Sequence, residues 1–111
     1  MNDVTIERQA ELFKTLSCAT RLKILLVLKE KELSVNSIID ELAKRYPEIV
    51  TDRTNVSKHL AMLRGHGVIS YAVQGKSRIY RLEAVCLLDA IECTIKLADE
   101  GVCVSSVCET D

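Results

Sequence analysis

At Gly65-His66-Gly67 the chain changes the spacing of its apolar residues, and that change constrains the fold more than any other feature. Before it, Val56, Leu60 and Leu63 recur at helical spacing, and either Thr51 or Asp52 can cap the helix they define. After it come Val68–Val73 and Arg78–Leu82, two short runs rich in β-branched and aromatic residues around Gln74-Gly75-Lys76-Ser77. Such runs about a glycine-containing turn predict a β-hairpin, and the glycines at 65 and 67 predict the helix stop. A helix therefore feeds directly into a hairpin.

The rest of the chain reads as helix. Val4, Ile6, Ala10, Leu12, Phe13 and Leu16 mark a first amphipathic helix over residues 4–17. Thr20 is expected to cap a second, running through Leu22, Ile24, Leu25, Leu26, Val27 and Leu28. That stretch is apolar nearly all round, which predicts the central buried helix. Lys29 to Glu32 reads as a charged break. Ser34 can cap a third helix through Ile38, Ile39, Leu42 and Ala43. It must stop near Tyr46-Pro47, because proline disfavours helical geometry in the residue before it. A last helix over residues 83–100 carries Val85, Leu87, Leu88, Ile91, Ile95 and Leu97. The 111 residues fit one domain, expected over residues 1–100, with residues 101–111 as a flexible, cysteine-containing tail.

No apolar run approaches the roughly 18 residues that span a bilayer, and MNDVTIERQA lacks the basic start and apolar stretch of a signal peptide. A cytoplasmic location without a membrane partner is the expectation. The net charge of −1 hides an asymmetry. Residues 1–50 balance 8 basic against 8 acidic side chains. Residues 51–81 carry Arg53, Lys58, Arg64, Lys76, Arg78 and Arg81 against Asp52 alone, and residues 82–111 carry Lys96 against seven acids. Charge clusters on solvated faces arise without any function, so shape decides what this one means. Here the basic segment coincides with the fourth helix and the hairpin.

That coincidence points to nucleic acid. The fourth helix opens with side chains of the types that read base edges and hold phosphates. Arg53 suits guanine, Asn55 suits adenine, and the methyl group of Thr54 suits thymine. Ser57, Lys58 and His59 suit phosphates or further base contacts, and Lys76 and Arg78 in the hairpin turn suit the neighbouring backbone or minor groove. Taken singly, each is an ordinary solvated side chain. An enzyme is the first alternative and is not expected: no glycine-rich phosphate loop, triad or paired-carboxylate motif stands out, and the two histidines, His59 and His66, sit at the fourth helix and its end. A helix-and-hairpin unit serving only protein contacts would carry an acidic or apolar outward face on the fourth helix, and this one is basic.

The segments LFKTLSCATRLKILLVL, ELSVNSIIDELA, TNVSKHLAMLRGHGVI and GKSRIYRL together resemble the ArsR/SmtB family of metal- and stress-sensing repressors, over roughly residues 10–82. VSKHLAMLRGHGVI is the most specific piece and TRLKIL the next. The resemblance implies a mostly α fold with a small β-hairpin. This is a winged helix-turn-helix of about five helices and a two-stranded wing. It also implies a homodimer joined through the first and last helices, and repression of double-stranded operator DNA relieved by an effector. The amphipathic first and last helices agree independently with a shared apolar seam.

Five cysteines, Cys18, Cys86, Cys93, Cys103 and Cys108, are many for a chain of this size. In a reducing compartment they suggest metal binding or redox sensing, against the plainer alternative of small buried hydrophobes. The resemblance places known sensor positions at Ser34-Val35-Asn36, at Ala84, Cys86, Leu97 and Glu100, and at Leu26, and these match poorly. What remains is a C-terminal set of Cys93, Cys103 and Cys108, with Cys18 and Cys86 as further candidates. Three thiolates suit a thiophilic metal or metalloid such as As(III). Two suit a disulfide or polysulfide bridge, the alternative reading. Cys86 and Cys93 are seven residues apart, on one helix face and roughly 10 Å from each other, too far to share one ion directly. No cofactor is expected to be obligatory; the effector would be a small inorganic species.

Overall fold

A computed structural model describes residues 2–48 and 52–99. The elements run α1 (Asp3–Leu16), α2 (Ala19–Glu30), β1 (Leu33–Ser34), α3 (Val35–Arg45), α4 (Arg53–Gly65), β2 (Ile69–Gln74), β3 (Ser77–Leu82) and α5 (Val85–Asp99). Five helices and a basic hairpin after the fourth match the order read from the sequence. The two proposed cysteine ligands of the tail, Cys103 and Cys108, lie outside the described residues.

Helix boundaries follow local chemistry. The Asn2 side chain accepts from the Thr5 amide to cap α1, and Ser34 does the same for the Ser37 amide in α3. The Asp52 carboxylate accepts from the Asn55 amide at 2.6 Å to start α4. Each satisfies one amide that the first helical turn leaves without a partner. The expected cap at Thr20 is corrected. The Leu22 amide bonds the Cys18 carbonyl at 3.1 Å, so α2 starts earlier, Thr20 lies inside its first turn, and Cys18 is the cap residue without a side-chain bond.

The stop after α4 is built as the glycines predicted. The Gly67 amide bonds the Arg64 carbonyl at 2.9 Å, and the Val68 amide bonds the Leu63 carbonyl at 3.2 Å. Gly67 sits at φ +75, the left-handed residue this termination needs. Val68 and Leu63, which flank it, are both buried. In the hairpin, Gln74 pairs with Ser77, leaving Gly75-Lys76 as a two-residue connection with Gly75 at φ +64. Glycine at the first central position supplies the positive φ such tight connections need.

The expected charged break at residues 29–32 is shorter than predicted, because α2 continues to Glu30. The sheet also has a third strand: β1 pairs antiparallel with β3, Leu33 opposite Tyr80 and Ser34 opposite Ile79, giving the order β1-β3-β2. The wing is therefore anchored to the start of α3 as well as to the end of α4. The core gathers Ile24, Leu25, Val27 and Leu28 of α2 with Ile38 and Leu42, then Val56, Leu60 and Leu63, and beyond them Ile69, Tyr80 and Leu88. Helix α2 is central, as its all-round apolar sequence requires. Helix α1 buries only Thr15 and Leu16.

Candidate nucleic-acid interface

One face of α4 and the wing enclose a polar cleft of about 260 Å³. Along α4 it is lined by Arg53, Ser57, Ala61 and Arg64, whose spacing puts them on one helical stripe. The wing contributes Lys76, Ser77, Arg78 and Tyr80, and the start of α3 contributes Ser34, Val35 and Asn36. Four cationic side chains line this space and no carboxylate does. In a low-dielectric recess such an arrangement favours an anion.

The cations are held in place. Arg53 donates to the Asn36 Oδ1 at 2.8 Å, tying the first turn of α4 to α3. The guanidinium carbons of Arg64 and Arg78 lie 5.0 and 4.8 Å from the centroid of the Tyr71 ring, within cation–π range. Tyr71 in turn packs against Tyr80 at 5.4 Å between centroids. One aromatic ring therefore positions an arginine from the helix and another from the wing. Arg81 is different. Its Nε donates to Glu83 at 2.5 Å, and this pairing raises the guanidinium pKa and holds the Glu83 carboxyl below its usual range. Arg81 therefore leaves the basic surface.

Of the residues read from the sequence, Arg53, Ser57, Lys76 and Arg78 come together around the cleft. Thr54 and Lys58 are exposed on the adjoining outward face of α4. Asn55 is exposed on the far flank, one turn before His59. His59 is half-buried, and its Nδ1 accepts from the Arg21 Nε at 3.0 Å. Burial, and then the Arg21 charge, lower its pKa from the ordinary histidine value. Sequence reasoning missed Arg64, Tyr71 and Asn36. The helical spacing from Arg53 to Arg64 was a usable signal; the stacking on Tyr71 was not, because it depends on how the wing folds back.

Cys86 and Cys93 are exposed on α5, and Cys18 is half-buried at the start of α2. The two α5 thiols are therefore not core residues of the protomer. Among the described residues, no three His, Cys, Asp or Glu side chains gather closely enough to hold a metal ion. No helix among them is long and apolar enough to cross a membrane.

A helix pair followed by a hairpin that shares a basic cleft with the second helix defines a winged helix-turn-helix regulator. The arsR family of bacterial regulatory proteins matches over residues 18–71, from the cap of α2 into β2. The chain is 36% identical over 95 residues to an HTH-type transcriptional regulator of Methanocaldococcus jannaschii, covering 85% of this chain and 94% of that one. It is also 36% identical over 73 residues to the HTH-type transcriptional regulator KmtR of Mycobacterium tuberculosis, covering 66% of this chain. The match spans about half of KmtR (51%). Among solved structures, the transcriptional repressor PagR of Bacillus anthracis superposes with a TM-score of 0.67 at 30% identity, over 84% of this chain and 99% of PagR. The chain belongs to the ArsR family of transcriptional regulators, and its relatives are regulators and not enzymes.

Proposed function

We propose that this protein is a homodimeric repressor that binds double-stranded operator DNA and is released by a thiol-binding metal or metalloid such as As(III). The observation that carries the DNA reading is the carboxylate-free cleft with cations from both α4 and the wing. In this reading α4 enters the major groove, with Arg53, Thr54 and Lys58 facing it, and Lys76 and Arg78 grip the adjoining backbone. Two-fold symmetry then asks for half-sites about one helical turn apart. The apolar residues left exposed on α1 and α5, Val4, Ile6, Phe13, Val85 and Leu97, support a seam between two copies. PagR is a repressor, and the sign of regulation is carried from it to this chain as part of the proposal.

The exposure of Cys86 and Cys93 in the protomer supports the thiol reading, since it sets aside the alternative that they are small hydrophobes of its core. Cys93 with Cys103 and Cys108 would supply three soft ligands, and Cys86 and Cys18 are the reserve. Binding at the end of α5 would change the seam and so the spacing of the two α4 helices. A coupling of about 1–3 kcal/mol is typical of such linkage.

Fluorescence anisotropy of the reduced protein on its own upstream DNA, titrated with As(III), tests both parts. Release at one equivalent per site, lost when Cys93, Cys103 and Cys108 are all changed to Ser, is the expected result. Tight, salt-sensitive DNA binding without release would keep the regulator and overturn the metalloid effector. Absence of salt-sensitive binding would overturn the DNA reading itself.

A further inference from the structure

Four side chains from three helices form a continuous polar chain beneath α4, on the side away from the basic cleft. The Arg21 guanidinium of α2 donates through Nε to His59 Nδ1 and through its terminal nitrogen to the Thr15 carbonyl of α1, each at 3.0 Å. The Thr15 hydroxyl, on a residue only 5% exposed, meets His66 Nε2 at 2.9 Å. Helix α4 is thus held at two points, at His59 in its middle and at His66 where it ends. Both points lead to the last turn of α1.

We propose that Arg21 is a positioning residue for the recognition helix. With Thr15 and the two histidines it forms a brace that sets the pitch of α4 against α1, and the brace requires His59 to be neutral. The inference rests on the DNA-binding reading. It assigns to His59 a role opposite to a phosphate contact, although its place in the sequence suggests one.

The chemistry fixes the direction. To accept from Arg21, Nδ1 must carry no proton, so the ring proton sits on Nε2. Protonating His59 removes the acceptor and sets two positive groups at hydrogen-bond distance. The charged group facing His59 is Arg21 from α2, while α1 presents the Thr15 carbonyl to the same guanidinium. On α4 itself, the neighbours one turn away, Asn55, Val56, Met62 and Leu63, carry no charge, and Lys58 points outward. His66 does not impose the same condition, because a threonine hydroxyl can donate to or accept from an imidazole. The folded pKa of His59 is lowered, so the brace is complete above the ordinary histidine value and is lost as pH falls through the lowered one.

The two roles predict opposite signs. A histidine touching phosphate gains charge on acidification and tightens DNA binding. A histidine in the brace loses its bond on acidification and weakens it. Anisotropy on the upstream DNA, at constant ionic strength between pH 7.5 and pH 5.5, reads the sign, with circular dichroism confirming the fold at each pH. We expect the wild-type affinity to fall as pH drops through the His59 transition, by about fivefold or more once the ring is protonated, the lower end for coupled sites. The measurements are carried below pH 5.5 to wherever NMR places that transition. His59→Asn places an amide oxygen where Nδ1 stands and should flatten the profile; His66→Gln should keep it. The His59 imidazole followed by NMR should titrate below the ordinary histidine value. An affinity that rises on acidification, or a wild-type profile no steeper than that of His59→Asn, would overturn the brace. A folded protein without DNA affinity at any pH would instead remove the DNA-binding reading, and the inference with it.

Discussion

A single backbone angle joins the recognition helix to the wing. Gly67 holds φ +75, and beyond its two chain neighbours no heavy atom of the described residues lies within 4 Å of where its Cβ would be. The cost of Gly67→Ala is therefore conformational and not steric, roughly 1–2 kcal/mol for a residue forced into the left-handed region. Gly65 is two residues earlier, is helical, and has equally open surroundings. There alanine should stabilise, by about 0.4–1 kcal/mol, because it narrows the unfolded ensemble. Urea unfolding of the two variants should therefore shift in opposite directions. Equal shifts would mean that the Schellman-type bonds from Gly67 and Val68 do not fix the end of α4. At this scale much was legible in the sequence: the Ser34 cap, a cap at Thr51 or Asp52 and the glycine stop all follow from local chemistry within four residues, while the choice of Asp52 came from the structure. His59 was harder, because its exposure is decided by Arg21, thirty-eight residues earlier.

At the scale of elements, the helix–hairpin unit could be read from the change in spacing at Gly65, while β1 could not. Leu33–Ser34 is two residues long, and Ser34 already has a sufficient local role as the cap of α3. Its strand character exists only through pairing with Ile79 and Tyr80, some forty-five residues later. The same limit hid the basic cleft. Charge clustering over residues 51–81 was visible, but sequence cannot tell that Arg81 turns to Glu83 while Arg64 and Arg78 share the Tyr71 ring. The cleft makes a graded prediction. Removing one cation that neutralises a phosphate should reduce the slope of log affinity against log salt by about 0.9. Arg78→Ala and Arg64→Ala should each do so on any DNA sequence, whereas Arg81→Ala should leave the slope unchanged. A slope that responds to Arg81 and not to Arg64 would place the DNA on the other face of the wing.

For the whole molecule, the large apolar side chains left exposed on the first and last helices are the most informative. The chain's one phenylalanine, Phe13, is 59% exposed, and Val4 and Ile6 lie on the same helix at 54% and 51%. A core this small has few aromatic residues to spare, so leaving its phenylalanine in water asks for a covering surface. A second copy is the occupant that a two-fold operator reader needs, with α5 contributing Val85 and Leu97. Phe13→Glu leaves the core around α2 untouched, because Phe13 is not part of it. The variant should therefore keep its helical content and unfold cooperatively, yet sediment as a monomer, whereas the proposed function expects the parent to sediment as a dimer. Its cleft remains intact, so it should still bind DNA with a steep salt dependence. Its affinity for a two-half-site operator should fall to that for a single half-site. A variant that remains dimeric would place the seam elsewhere and remove the route from the α5 thiols to the spacing of the recognition helices. A monomer with full operator affinity would show that one protomer suffices, and the exposed face of α1 would then need another partner.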